Sequence, residues 1–277
     1  MPASIDINCD LGEGCENDAE LMRYISSANI ACGFHAGDED MMRRTVDRAI
    51  ENNVAIGAHP GFPDRENFGR TEMALPPDDI HGIMTEQIAA LKAICDERGA
   101  KLHHVKPHGA LYNMAAKDRG LANAIAKAVV EFDNDLVFFG LANSAMISES
   151  EALGLKSSAE VFADRTYQPD GTLTPRSRRG ALIEDPEECK THVLRMVREG
   201  TVIATDGTAV PIRADTICIH GDTPGAVELA RMVRGALEAN GIAVLPLSDV
   251  LELKLKTNRL GKPVLDAAVP PPTLNGD

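Results

Sequence analysis

Short apolar runs separated by longer stretches of helical periodicity recur along this 277-residue chain. That alternation restricts the fold more than any other feature, because strands joined through helices pair in parallel, in an open sheet or a closed barrel. Eight runs read as strands: 5–9, 28–34, 54–58, 102–106, 136–140, 159–163, 216–220 and 242–247. Between them, residues 78–98 place Ile80, Met84, Ile88, Leu91 and Cys95 on one helical face, and Gly99 ends the run. Asp185 and Pro186 open a second helix with acids in its first turn, and Gly200 closes it. Residues 221–241 repeat that grammar, with Pro224 early and Gly241 last. Eight strands in this length suit a β/α barrel, with a lone open sheet as the alternative. Neither an internal repeat nor a Gly/Pro/Ser-rich linker divides the chain. We therefore expect a single barrel domain over 1–255 and a C-terminal extension with a loose tail over 256–277.

Side chains of a strand alternate between its faces. On this rule Asp6, Asn8 and Asp10 share one face, as do Asn29 and His35, then Ala55, Gly57 and His59. His104, Lys106 and His108 form another set if their strand stays extended; Glu160 with Asp164, and Cys218 with His220 and Asp222, complete the series. Each set thickens toward the C-terminal end of its strand, the rim where a β/α barrel builds its active site. Any one of these residues could be a cap or a satisfied core group, and Asp6 is read that way. Their convergence on one end predicts a shared polar pocket. His103, on the opposite face, is expected to pack against helices. Residues 164–180 lack periodicity and carry Arg165, Arg176, Arg178 and Arg179. A structureless loop of this length reads as a lid or binding loop, here for an anionic substrate or phosphate.

Composition narrows the partners. The net charge is −14, aromatic residues make up 4 %, and Trp is absent, which argues against nucleic acid. No basic leader and no bilayer-length apolar run is visible, so no membrane role is expected. The six cysteines, at 9, 15, 32, 95, 189 and 218, form no CxxC pair; buried thiols in the cytoplasm are expected. The GxSxG elbow, the GxxxxGK[ST] loop and the GxGxxG turn are all missing, so any ATP needs another cradle and hydride transfer is disfavoured. Asp10, His35 and His59 are of the donor types that a divalent metal site uses. Without metal, an Asp–His pair can act on water while Lys106 stabilises developing negative charge. The spacing leaves both possibilities open.

Six blocks sharpen this picture: DINCDLGEG, SANIACGFHAGD, GAHPGFPDRENFGR, VKPHGALYN, FADRTYQPDGTLTPRS and CIHGDTPGA. In that order, across about residues 4–250, the chain resembles the LamB/YcsF family, described as the A subunit of 5-oxoprolinase. The resemblance implies an α/β fold, an irregular (β/α)7 TIM-like barrel of the glycoside hydrolase/deacetylase type, which would leave one of the eight strands outside. It also implies ATP-dependent opening of 5-oxo-L-proline (pyroglutamate) to L-glutamate together with B and C subunits, with ATP as co-substrate and Mg expected. Phosphorylating the lactam oxygen would turn a resonance-stabilised amide into an activated, imidate-like electrophile. On this reading Asp10, His35, His59, Lys106 and His108 are catalytic. Asp10 with His35 or His59 would activate water, Lys106 and the loop arginines would bind carboxylate or phosphate, and His108 or His220 would assist proton transfer. Asn8, Glu13, His104, Asn113, Arg165, Arg176, His220 and Asp222 would contact the substrate. The rival readings are a metal-dependent amidase or deacetylase without ATP, and a non-catalytic substrate-binding subunit.

Overall fold

Strands form where an inward polar residue alternates with an outward apolar one, and the computed structural model, which describes residues 4–222, 225–247 and 249–250, places ten of them. These are β1 (Ser4–Leu11), β2 (Ser27–Ala31), β3 (Ala55–His59), β4 (Leu102–Val105), β5 (Val137–Leu141), β6 (Lys156–Phe162), β7 (Thr201–Ile203), β8 (Ala209–Pro211), β9 (Thr216–Ile219) and β10 (Ala243–Val244). The helices are α1 (Asp18–Leu21), α2 (Glu39–Glu51), α3 (Pro77–Glu97), α4 (Gly109–Ala115), α5 (Arg119–Phe132), α6 (Ala145–Ala152), α7 (Pro186–Glu199) and α8 (Ala226–Ala239). Their starts follow from local chemistry. Asp38, Asp118 and Asp185 accept hydrogen bonds from the first-turn N–H groups of α2, α5 and α7, and Gly200 ends α7 at φ 65°.

The parallel order β1-β2-β3-β4-β5-β6-β9 closes on itself, because β9 pairs both with β6 and with β1, with Asp6 opposite Thr216 and Cys9 opposite Ile219. This is a seven-stranded barrel. The eighth expected strand lies outside the ring: among the described residues β10 pairs only with Ser4 and Ile5 at the start of β1. The antiparallel hairpin β7–β8 was not expected from the sequence; three-residue strands carry too little periodicity to register. The ring is irregular at β3–β4, where the register shifts between Ile56 and Gly57.

Ile5, Ile7, Cys9 and Leu11 face outward and are fully buried under the helices. The barrel interior is partly polar. Asp6 accepts from Ser26 Oγ and Ser27 Oγ at 2.7 Å each, and from Thr216. Its burial pushes the carboxyl up to about 6. This confirms its reading as a satisfied core group. Gly57 is required: a Cβ there would stand 2.0 Å from His104 Nε2. The vacated space admits the His104 imidazole, which stacks on Phe139 at 4.2 Å and faces Asn29 Oδ1 at 2.9 Å. Leu247 and Val250 pack on Val137 and Phe139 and close the N-terminal end of the barrel. The tail expected over 256–277 lies outside the described residues.

Two expectations are corrected. β2 ends at Ala31 rather than at residue 34, because Gly33 turns the chain at φ 95°, so His35 stands on a loop. The stretch 164–180 is not structureless. Arg165 bridges Leu182 and Tyr167 bridges Leu173, while the fully buried Tyr167 hydroxyl accepts the Phe162 N–H at 2.9 Å. It forms a packed strap across the C-terminal rim.

Candidate active site

The floor of the C-terminal mouth is built on a buried lysine. Lys106 follows β4, and its N–H continues the ladder to the Ala58 carbonyl at 2.9 Å. Its Nζ lies 2.8 Å from Asp10 Oδ1, 2.9 Å from Glu160 Oε1, 3.2 Å from Cys218 Sγ and 3.3 Å from Asn8 Oδ1. Burial disfavours the ammonium, but Asp10 and then Cys218 and Glu160 outweigh it and hold Lys106 well above its ordinary value. The lysine therefore stays charged. For Asp10, burial raises the pKa while His59 and Lys106 lower it, and the balance lies well below the carboxylate range. Asn29 Nδ2 also donates to Asp10 Oδ1 at 2.8 Å, so Oδ1 is saturated. Oδ2 faces His59 Nε2 at 3.3 Å. On the far side of the lysine, the Tyr112 hydroxyl donates to Glu160 Oε2 at 2.7 Å.

Beside this floor the turns after β1 and β2 and the ends of β3 and β4 bring Glu13, His35, His59 and His108 together, with one donor atom from each lying within 4.8 Å of the others. His59 Nδ1 sits 2.7 Å from the Lys106 carbonyl and His108 Nε2 sits 2.9 Å from the Phe68 carbonyl. Carbonyls only accept, so those nitrogens carry protons, and in the neutral rings the bare nitrogens point inward, as imidazole ligands of a metal require. Burial, then the neighbouring His59, lowers His108 to about 3, and burial with both other imidazoles lowers His35 further. Burial, then Asp10 and Asp222, holds Glu13 well above its ordinary value. The group fits a cation. The expected set was Asp10, His35 and His59; the structure gathers Glu13 and His108 with the two imidazoles, and Asp10 stands beside them, bound to Lys106.

Above both groups opens a cavity of about 700 Å³ lined by Asp10, Glu13, His59, Lys106, His108, Asn113, Arg165, Arg176, His220 and Asp222. Ten of the residues expected at the site thus share one hollow. Three do not line it. His35 lies beneath with the imidazole cluster, Asn8 supports Lys106 from below, and His104 fills the barrel interior. Arg165 is tied down, since its guanidinium donates to the Thr174 and Ala181 carbonyls at 2.6 and 3.3 Å. His103 is half-buried, with Nδ1 enclosed by protein. Sequence reasoning missed Arg70, Tyr112 and Lys117 in the wall. Arg70 spans the mouth to Asp222 at 2.8 Å. Asp164 holds His220 Nδ1 at 2.9 Å; burial raises this carboxyl, but His220 outweighs burial and keeps it ionised. Glu160 and Asp164 were legible as a face-sharing pair, although neither was assigned to the site.

The chain is a closed parallel β/α barrel whose polar groups gather at its C-terminal rim. A T48 deacetylase shares the fold at TM-score 0.51 and 12 % identity over 90 % of each chain. More specifically, the chain belongs to the LamB/YcsF family, whose model matches residues 5–252. It is 51 % identical over 249 residues to the A subunit of 5-oxoprolinase from Bordetella parapertussis, covering 88 % of this chain and 99 % of that one. The same subunit of Shouchella clausii is 55 % identical over 246 residues, covering 87 % and 97 %. A crystal structure of a lactam utilization protein from Thermus thermophilus superposes with TM-score 0.82 at 46 % identity, covering 87 % and 99 %.

Proposed function

We propose that this chain is the A subunit of an ATP-dependent 5-oxoprolinase, opening 5-oxo-L-proline to L-glutamate in company with B and C subunits, with ATP and its Mg as co-substrate. The observation that carries the proposal is the state of Asp10: ionised, pinned through Oδ1 by Lys106 and Asn29, and turned through Oδ2 toward His59 beside the cavity. Oδ2 orients the attacking water and receives its proton as the new C–O bond forms at the lactam carbon. As the C–N bond breaks, His220, held by Asp164, delivers a proton to the ring nitrogen, which leaves as the amino group of glutamate. The acyl phosphate left on the former lactam carbon is hydrolysed by a second water to glutamate and inorganic phosphate. Lys106 is engaged by Asp10 and Glu160, so its charge serves to keep Asp10 ionised. Binding of the substrate carboxylate or phosphate falls to the exposed Arg176, with Arg70 and Lys117, in the cavity wall. A divalent cation held by Glu13, His35, His59 and His108 would supply Lewis-acid polarisation at the same rim.

Relatives of matching length that carry this subunit's name support the reading. Six free cysteines, five of them buried, fit a reducing cytoplasmic setting, and no helix among the described residues is long and apolar enough to cross a membrane. The test mixes this chain with its B and C partners, 5-oxoproline and ATP, following ADP and glutamate separately. Glutamate release should require this chain and fall about 1000-fold or more in Asp10→Asn. Full-rate release by B and C alone would overturn the proposal. The imidazole cluster favours one second reading, an ATP-independent amidase, which predicts glutamate from this chain without ATP.

A further inference from the structure

Three imidazoles and a carboxylate seldom crowd together without a positive charge among them. Here the crowding is built into the fold. The rings of His35 and His108 stack at 3.7 Å with planes 4° apart, and both stand edge-on to His59. Glycines make this possible. A Cβ at position 61 would lie 2.8 Å from His35 Nδ1, and one at position 69, where φ is 65°, would lie 2.8 Å from His35 Cβ and 2.9 Å from His108 Cδ2.

The bare nitrogens then meet head-on. His59 Nε2 and His108 Nδ1 are 2.9 Å apart, and in the neutral rings both are bare, because the opposite nitrogen donates to a main-chain carbonyl. Two lone pairs at hydrogen-bond distance repel unless something electrophilic lies between them. Glu13 Oε1 completes the arrangement at 3.2 Å from His35 Nε2, 3.4 Å from His108 Nδ1 and 3.9 Å from His59 Nε2. A tetrahedral ion with bonds of about 2.1 Å has donor–donor edges of about 3.4 Å; these four of the six edges bracket that length, and all six lie within 4.8 Å. The whole group is enclosed, with Glu13 exposed by only 4 % and the rings of His35 and His59 by 1 % or less.

We infer that Glu13, His35, His59 and His108 form a tetrahedral binding site for a transition-metal dication of the zinc class, with Asp10 next to the site and not a ligand. Three nitrogens and one oxygen are borderline donors. Magnesium and calcium prefer all-oxygen shells and bind poorly here. The site is therefore distinct from any Mg that arrives with ATP. His108 becomes a ligand, not the proton carrier the sequence suggested. The inference does not depend on the substrate, so it stands or falls separately from the 5-oxoprolinase reading.

The experiment uses the full chain with metals alone. Protein purified without chelator should carry about one equivalent of zinc-class metal by elemental analysis. After stripping, added Co²⁺ should give the intense visible absorption of a tetrahedral site, displaced by Zn²⁺ and unaffected by millimolar Mg²⁺. His108→Ala and Glu13→Gln, checked for fold by circular dichroism, should each weaken Co²⁺ binding about 100-fold or more, whereas Asp10→Asn should retain the tetrahedral spectrum. Two results overturn the inference without recourse to variants: wild-type protein that takes up no Zn²⁺ or Co²⁺, or a Co²⁺ spectrum of six-coordinate type. A proton shared between His59 and His108 would give the first of these.

Discussion

At the scale of single residues, charge placement decides what each group can do. Asp6 is the simplest case, with its carboxyl sealed inside the barrel and raised from 3.8 to about 6. Because the native state binds this proton more tightly than the unfolded chain, it stabilises the fold in acid. That contribution is complete below about pH 4 and is lost as pH rises through 6. The difference amounts to about 3 kcal/mol. Unfolding free energies of Asp6→Asn relative to the parent should therefore rise by about that much between pH 4 and pH 7; parallel pH curves for the two proteins would refute the assignment. The inward face of β1 was legible because Asp6, Asn8 and Asp10 alternate strictly with Ile5, Ile7 and Cys9. Which of the three reaches the cavity was not legible, since depth along a barrel axis leaves no mark on a period of two. For the same reason His104, two residues before Lys106, was expected in the mouth and lies below it. Glu160 shows the converse: its partners, Lys106 and Tyr112, come from another strand and a helix, and only their meeting gives the carboxylate a role.

At the scale of elements, strands and capped helices were readable from periodicity and from Asp, Pro and Gly at their ends. Non-local hydrogen bonds decided the rest. The strap after β6 looked like a loose lid because its order comes from Tyr167 and Arg165, whose partners lie 5 to 16 residues away. Three arginines on its exposed turn, Arg176, Arg178 and Arg179, are natural trypsin sites. If the Arg165 guanidinium is what holds the strap, Arg165→Met should lose about 2 kcal/mol of local stability and be cut there about tenfold faster or more under native conditions. Limited proteolysis with mass mapping measures this, and unchanged cleavage would mean that Tyr167 alone suffices. The imidazole cluster was half legible. His35 and His59 were expected at strand ends, but Glu13 and His108 stand on turns, Glu13 between Gly12 and Gly14 at φ 73° and 92° and His108 before Gly109 at φ 58°.

At the scale of the molecule, barrel closure from a β/α pattern was expected, and the resemblance put one strand outside the ring. The plug at the opposite end from the site was not foreseen. Leu247 and Val250 seal the interior against Val137 and Phe139, directly under the His104 ring. Leu247→Asp should cost about 3 kcal/mol or more and lower the urea midpoint. A variant with an unaltered midpoint would show that the plug is dispensable.

The seam where β9 joins β1 has a cost in time. Asp6 and its partner Thr216 are separated by 210 residues, so β1 leaves the ribosome long before the strand that closes the ring against it. At ordinary translation rates that interval is roughly 10 to 40 s. Throughout it the newborn chain holds out a raw edge with nothing yet made to cover it, and whatever shields nascent chains in the cell has that long to act.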